Sequence, residues 1–268
     1  MTAIYLIRHG QASFAEQDYD KLSIKGIEQA KMLGMHWQAL ARHKENFAES
    51  VQYYSGSLLR HEQTAEYFFN GLLMQSSKAN HPQKGVITHA GFNELDHVDV
   101  LSRYNKNWQS FQAMCNEVSH TQSKNTLKQA LGENRTSQSF RQEFALAMKR
   151  WVSGEFDDYQ ESWSQFQQRC ITSLQEVVTQ SHAQVNAHQS LRGRSNNKDL
   201  VIFTSGGVIG VILGHILART YQNTLQISQQ LINSSVTKII AKKDGFKLSY
   251  LNNYSHLEVA GQEWLSYF

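Results

Sequence analysis

The chain predicts an α/β fold: three layers, α/β/α, around a mostly parallel central sheet, interrupted by a helical insertion at about residues 101–160. Three observations carry this. Short apolar runs at 3–7, 51–54, 86–88 and 200–204 each end in a small or polar turn, and most are followed by helical periodicity. That alternation argues for parallel strands joined by crossover helices. Between about Leu101 and Asn197 the chain turns rich in Gln, Asn and Ser and shows no convincing strand. Near the C-terminus, two strand-like runs flank Asp244-Gly245, a strong hairpin signal.

Taken in order, Ala3 to Ile7 reads as the first strand. Ser23 reads as the N-cap of a helix whose apolar positions recur to about Leu40. Val51 to Tyr54 reads as the second strand, followed by Ser55-Gly56-Ser57 and a helix from about Leu58 to Met74, with Leu59, Thr64 and Phe68 as inward candidates. Val86 to Thr88 is a third, short strand that opens into Gly91-Phe92-Asn93-Glu94. In the insertion, Gln142 to Val152 and Glu161 to Val178 have helical periodicity, and Gln184 to Lys198 reads as a polar loop. Leu200 to Thr204 returns to the sheet, Ser205-Gly206-Gly207 is a turn, and Val208 to Arg219 is an apolar helix. Val236 to Ala241 and Phe246 to Leu251 form the hairpin.

Composition narrows the classes. At 268 residues, 40% hydrophobic and with a net charge of +3, the chain suits a globular protein and gives no cause to invoke nucleic acid or an anionic membrane. Cys115 and Cys170 cannot build a disulfide scaffold, and no Cys/His spacing suggests a metal site. No apolar run is long enough to span a bilayer and no leader is visible, so a cytoplasmic protein is expected.

The chemistry concentrates at strand ends. Arg8-His9-Gly10, the turn Ser55 to Arg60, Glu94 and Ser205-Gly206-Gly207 all follow expected strands, and in a parallel sheet these positions share one edge. Arginines can clamp phosphate oxygens, a neutral imidazole can attack phosphorus, and a carboxyl group can move a proton. Arg60 falls early in a helix, where the dipole disfavours a cation, which points to an anion-facing role. Glu94 competes with Asp96 and Asp99 as the acid. Gln11, Ser13 and Gly206 are further candidates at the same edge, with ordinary turn roles as the alternative.

Together these segments resemble the histidine phosphatase superfamily, which includes cofactor-dependent phosphoglycerate mutases. Ile4 to Gln11 looks like its signature, Leu22 to Ala30 like its following helix start, Ser55 to Ala65 like the segment with the second arginine, and Phe92-Asn93-Glu94 like its acidic site. The resemblance covers about residues 3–97 and 199–256. It implies a phosphohistidine intermediate on His9, with Arg8 and Arg60 holding the phosphoryl group of a small phosphorylated substrate. Glu94 would serve as proton donor and then base, with no metal or other cofactor. Hydrolysis is the expected activity. Phosphomutase activity is one alternative, disfavoured because the "YG" and "QG" pattern does not follow Phe92 to His97; a weakly active protein that binds phospho-ligands is another.

One position departs from the pattern. Where the family carries "SHGG", this chain has Thr204-Ser205-Gly206-Gly207, so Ser205 takes the place of a histidine. A hydroxyl donates one neutral hydrogen bond and supplies no imidazolium charge. Losing one such donor costs on the order of 10²–10³ in rate. A slow phosphatase is expected, with Ser205 as an N-cap, a phosphate contact or both. His61, His89, His97 and His256 are candidate stand-ins for the missing imidazole, although a structural role is the expected one for each. His215 is expected to be packed within its helix or to cap a buried network. In the insertion, Lys124, Lys128, Arg135, Arg141, Lys149 and Arg150 read as a solvated face or an anion-attracting one, and Phe140, Phe144 and Trp151 as core.

Overall fold

The computed structural model describes residues 1–13, 20–41, 51–74, 85–110, 113, 134–192 and 198–267. Among these, six strands form one sheet: β1 (Thr2–Arg8), β2 (Val51–Ser55), β3 (Val86–Thr88), β4 (Asp199–Thr204), β5 (Val236–Lys242) and β6 (Gly245–Asn253). Their spatial order is β3-β2-β4-β1-β5-β6. The first four run parallel, and β5 and β6 are antiparallel, so the sheet is mixed but mostly parallel. Eight α-helices are seen among the described residues: α1 (Ile24–Ala41), α2 (Leu59–Leu73), α3 (His97–Tyr104), α4 (Asn134–Ser153), α5 (Trp163–Arg192), α6 (Gly206–Ile216), α7 (Tyr221–Gln230) and α8 (Ser255–Glu258).

The central strands are apolar without alternation because both of their faces are covered. In β1, Ile4, Tyr5, Leu6 and Ile7 are all buried, as are Leu200 to Phe203 in β4. One face packs Tyr5, Ile7, Tyr53, Val201 and Phe203 against Leu33 and Trp37 of α1 and Ala65, Phe68 and Phe69 of α2. Phe68 lies at its centre, edge-on to Trp37, Phe69 and Phe203 at 5.7, 5.4 and 5.4 Å between ring centroids. This packing fixes the helix that carries Arg60.

The described residues divide into two compact units, Met1–Glu94 with Arg169–Phe268, and Leu95–Gln168. The first contains the sheet. The second is helical, with Leu101, Trp108 and Ala147 buried together beside Tyr104 and Phe144. Within it Trp151 packs edge-on to Trp163 at 5.2 Å. Arg150 pairs with Asp158 and lies over the Phe156 ring, whereas Lys149 is exposed. Cys115, Lys124 and Lys128, and the side chains of Arg135, Phe140 and Arg141, lie outside the described residues.

Several expectations need correction. Leu59 is 37% exposed and not inward, because it occupies the outer side of the first turn of α2. The polar stretch read as a loop from Gln184 continues α5 to Arg192, since a helix already anchored by Phe166, Cys170, Leu174 and Val177 can propagate through polar residues. α4 begins at Asn134, ahead of its apolar stripe. α6 begins at Gly206 and ends at Ile216, where the chain turns through Ala218 at φ 50°. His215 is exposed near the end of that helix. Helices α3 and α7 were not anticipated. Truncating Phe68 to Ala should remove about 3–5 kcal/mol of stability through cavity formation, measured by urea denaturation. A loss below about 1 kcal/mol would show that this core does not hold α2 in place.

Candidate active site

Parallel pairing in register delivers the candidate residues to one edge. Arg8 lies opposite Thr204, and Ser55 lies opposite Phe203 and Thr88. The ladder continues one residue beyond the strands: His9 N donates to Thr204 O at 2.9 Å and Gly56 N to Phe203 O at 3.0 Å. Thr64 joins the turn after β1 to α2. Its Oγ1 accepts from Gly10 N at 3.0 Å and donates to Arg60 O at 2.6 Å.

His9 is 7% exposed. Its Nδ1 lies 2.7 Å from Gly10 O, and a carbonyl can only accept, so Nδ1 carries the proton and Nε2 keeps its lone pair. Burial first, then the charges of Arg60 and Arg8, and then His61, hold the imidazole well below its usual pKa and therefore neutral. Arg8 is fixed from behind: Nη1 donates to Leu231 O and Nη2 to Tyr267 O. Arg60 Nη1 meets Asp20 Oδ1 at 2.5 Å, and Asp20 Oδ2 accepts from Leu59 N at 2.8 Å. Asp20 thus caps α2 from a distant segment, where the N-cap residue Leu58 has no side chain to do so. It was not anticipated from the sequence, because only folding brings it to Arg60.

Of the three acids considered, two have structural duties. Asp96 Oδ1 caps α3 by accepting from Val98 N and Asp99 N. Asp99 is buried and joins Arg103 Nε at 3.0 Å and Gln160 N at 2.8 Å. Glu94, half-buried, reaches the start of α6, where Oε2 accepts from Gly207 N at 3.0 Å. A Cβ on residue 207 would fall 2.1 Å from Glu94 Oε1 and would push the carboxylate aside. The loop before Glu94 is tied by Arg169 Nη1, which donates to Gly91 O and Asn93 O at 3.0 and 2.9 Å. Arg169 also went unremarked in the sequence.

Ser205 occupies the N-cap position of α6 but makes no side-chain cap bond. Its Oγ lies 2.5 Å from His61 Nε2, and both residues are fully buried. The rings of His61 and His9 are 5.7 Å apart. The other three histidines lie elsewhere: His89 receives Gly91 N, His97 stacks on Phe144, and His256 lies against His36. Gly206 is buried one residue beyond Ser205, where an added Cβ would lie 3.5 Å from Arg8 Nε. Gln11 and Ser13 serve the adjoining turn. Gln11 N donates to Gln29 Oε1, Gln11 Oε1 accepts from Ser23 Oγ, and buried Ser13 donates its N–H to Lys21 O. Ser23 Oγ also accepts from Gly26 N, the cap bond expected of it. Among the described residues no cluster of His, Cys, Asp and Glu is arranged to hold a metal ion, and no helix is long and apolar enough to cross a membrane.

An α/β unit with cations, an imidazole and a carboxylate at its sheet edge matches a known class. Residues 95–254, more than half of the chain, match the histidine phosphatase superfamily (branch 1), and the chain belongs to that superfamily. Among solved structures it is similar to YhfR of Bacillus stearothermophilus (17% identity, TM-score 0.58, covering 96% of this chain and 100% of that one). It is similar to phosphoserine phosphatase of Entamoeba histolytica in complex with 3-phosphoglyceric acid (19%, 0.55, covering 96% and 100%). It also resembles phosphoglycerate mutase of Bacillus anthracis str. Sterne (14%, 0.55, covering 96% and 95%). At these identities the likeness shows the fold. No curated protein matches the chain.

Burial holds His9 and His61 well below 6.5 and His256 down to about 3. The unfolded chain binds protons at these residues as pH falls below 6.5, and the folded chain does not. Stability from them is therefore complete above about 6.5 and lost on acidification, by about 1.4 kcal/mol per pH unit for each. Urea denaturation between pH 7.5 and 5.5 should show stability falling with pH; a flat or rising profile would contradict buried neutral histidines.

Proposed function

We propose that the protein is a cytoplasmic phosphomonoesterase, which passes the phosphoryl group of a small phosphorylated substrate to His9 Nε2 and then to water. The single observation that best supports this is a buried, neutral imidazole with Nδ1 committed to Gly10 O and two arginines near enough to depress its pKa. In this reading Arg8 and Arg60 neutralise the phosphoryl oxygens, and the start of α6 with Ser205 and Gly206 completes the cradle. Gln11 and Ser13 shape the turn beside it.

In the first step the Nε2 lone pair forms a bond to phosphorus as the ester P–O bond breaks. Protonated Glu94 supplies the proton to the leaving oxygen. In the second, Glu94 carboxylate removes a proton from water as its oxygen attacks phosphorus, and the P–N electron pair returns to Nε2. This cycle uses only the chain's own side chains. The stretch that interrupts the α/β unit in sequence, at about 101–160, is an insertion within one histidine-phosphatase domain and the place where substrate choice would reside.

Release of phosphate from aryl and alkyl monoesters tests the reading. His9→Ala should abolish turnover. Glu94→Gln should lower kcat/KM, which reports the first step, by about 10²-fold or more for alkyl phosphates and much less for activated aryl phosphates, because a good leaving group needs no proton. Full activity in His9→Ala, or equal losses of kcat/KM on both ester classes in Glu94→Gln, would contradict the assigned roles.

A further inference from the structure

We propose that His61 is a positioning residue for Ser205: its Nε2–H donates to Ser205 Oγ and so turns the serine hydroxyl proton toward the phosphoryl group beside His9. This rests on the phosphoryl-transfer reading and adds to it a residue that no motif assigns. The resemblance expects an imidazole at position 205, and the fold instead places one a hydrogen bond behind it, delivered from α2. His61 Nε2 is 2.5 Å from Ser205 Oγ, with both side chains fully buried and His9 5.7 Å away between ring centroids.

The direction of the bond follows from the other side of the ring. His61 Nδ1 is buried with no hydrogen-bond partner among the described residues. It faces Gly56, where an added Cβ would lie 2.2 Å away. A buried N–H without an acceptor is rarer and costlier than a bare lone pair. The proton therefore belongs on Nε2, and Nδ1 keeps its lone pair against Gly56. Burial and the neighbouring Arg60 charge keep the ring neutral, so it has one proton to give. A serine oxygen that accepts from His61 directs its own proton elsewhere. Among the described residues no other group bonds the Ser205 hydroxyl, which leaves that proton for an anion. The pair returns a directed donor to the place of the missing imidazole, without its positive charge.

Two measurements on the full chain test this. Long-range 1H–15N spectra at neutral pH should show His61 protonated on Nε2; protonation on Nδ1 overturns the proposal. Hydrolysis of p-nitrophenyl phosphate is compared for wild type, Ser205→Ala, His61→Leu, His61→Gln and the double variant Ser205→Ala/His61→Leu. Each of Ser205→Ala and His61→Leu should lower kcat by about 10²-fold with KM little changed, and the double variant should be no slower than Ser205→Ala alone. His61→Gln, which retains an N–H at similar reach, should recover most of the rate. Additive losses, or a glutamine variant as slow as the leucine one, overturn the proposal even where His9→Ala confirms the nucleophile. Should His61→Leu not fold, His61→Gln and the tautomer decide. A wild type that neither turns over ester nor binds inorganic phosphate by calorimetry overturns the phosphoryl-transfer reading, and this proposal with it.

Discussion

His9 donates its backbone N–H to the carbonyl of Thr204, extending the β1–β4 ladder by one rung past the strand ends. Everything at the candidate site depends on that pairing. It sets the turn carrying Arg8 and His9 beside the turn carrying Ser205, although almost two hundred residues separate them in the chain. A slip of one residue would turn Ile7 and Arg8 each to the other face of the sheet. The register is held because both faces of β1 and β4 are buried, leaving no polar side to accommodate a slip.

The same burial that fixes the register creates the site's electrostatics. An imidazole closed off from water beside two guanidinium groups stays neutral, and neutrality is what a nitrogen nucleophile requires. The cations must in turn be held in place. Arg8 is anchored by the Leu231 and Tyr267 carbonyls and Arg60 by Asp20, so neither relies on a ligand for its orientation. Such preorganisation is where electrostatic stabilisation of a transition state comes from, since the donors need not rearrange as charge develops. The histidines kept uncharged by this arrangement make the fold sensitive to acid.

What could be read in the sequence was what local pattern encodes. The apolar runs identified the six strands to within two residues at every end, and the placing of Arg8, Arg60, Glu94 and Ser205 after strands followed from them. Helices α3 and α7 escaped because they are short and polar and begin with side-chain caps, from Asp96 and Thr220, that do not stand out in a polar stretch. Asp96 looked like a candidate acid for the same reason. The partners of the functional residues were the least legible. Asp20 against Arg60, Arg169 against the Asn93 loop and His61 against Ser205 are contacts between distant segments, and no spacing announces them. His61 stood out only as one of four histidines, and its distance to Ser205 distinguishes it.

In the proposed cycle His9 is the group that carries phosphate. Rapid mixing of the protein with a phosphomonoester, followed by an alkaline quench that preserves phosphohistidine, tests this most directly. Phosphorus NMR and mass spectrometry of the quenched protein should find one acid-labile phosphoryl group, bonded to Nε2 of His9, absent in His9→Ala and accumulating in Glu94→Gln with an aryl phosphate as donor. Sustained phosphate release with no such adduct, or an adduct on any other residue, would contradict it.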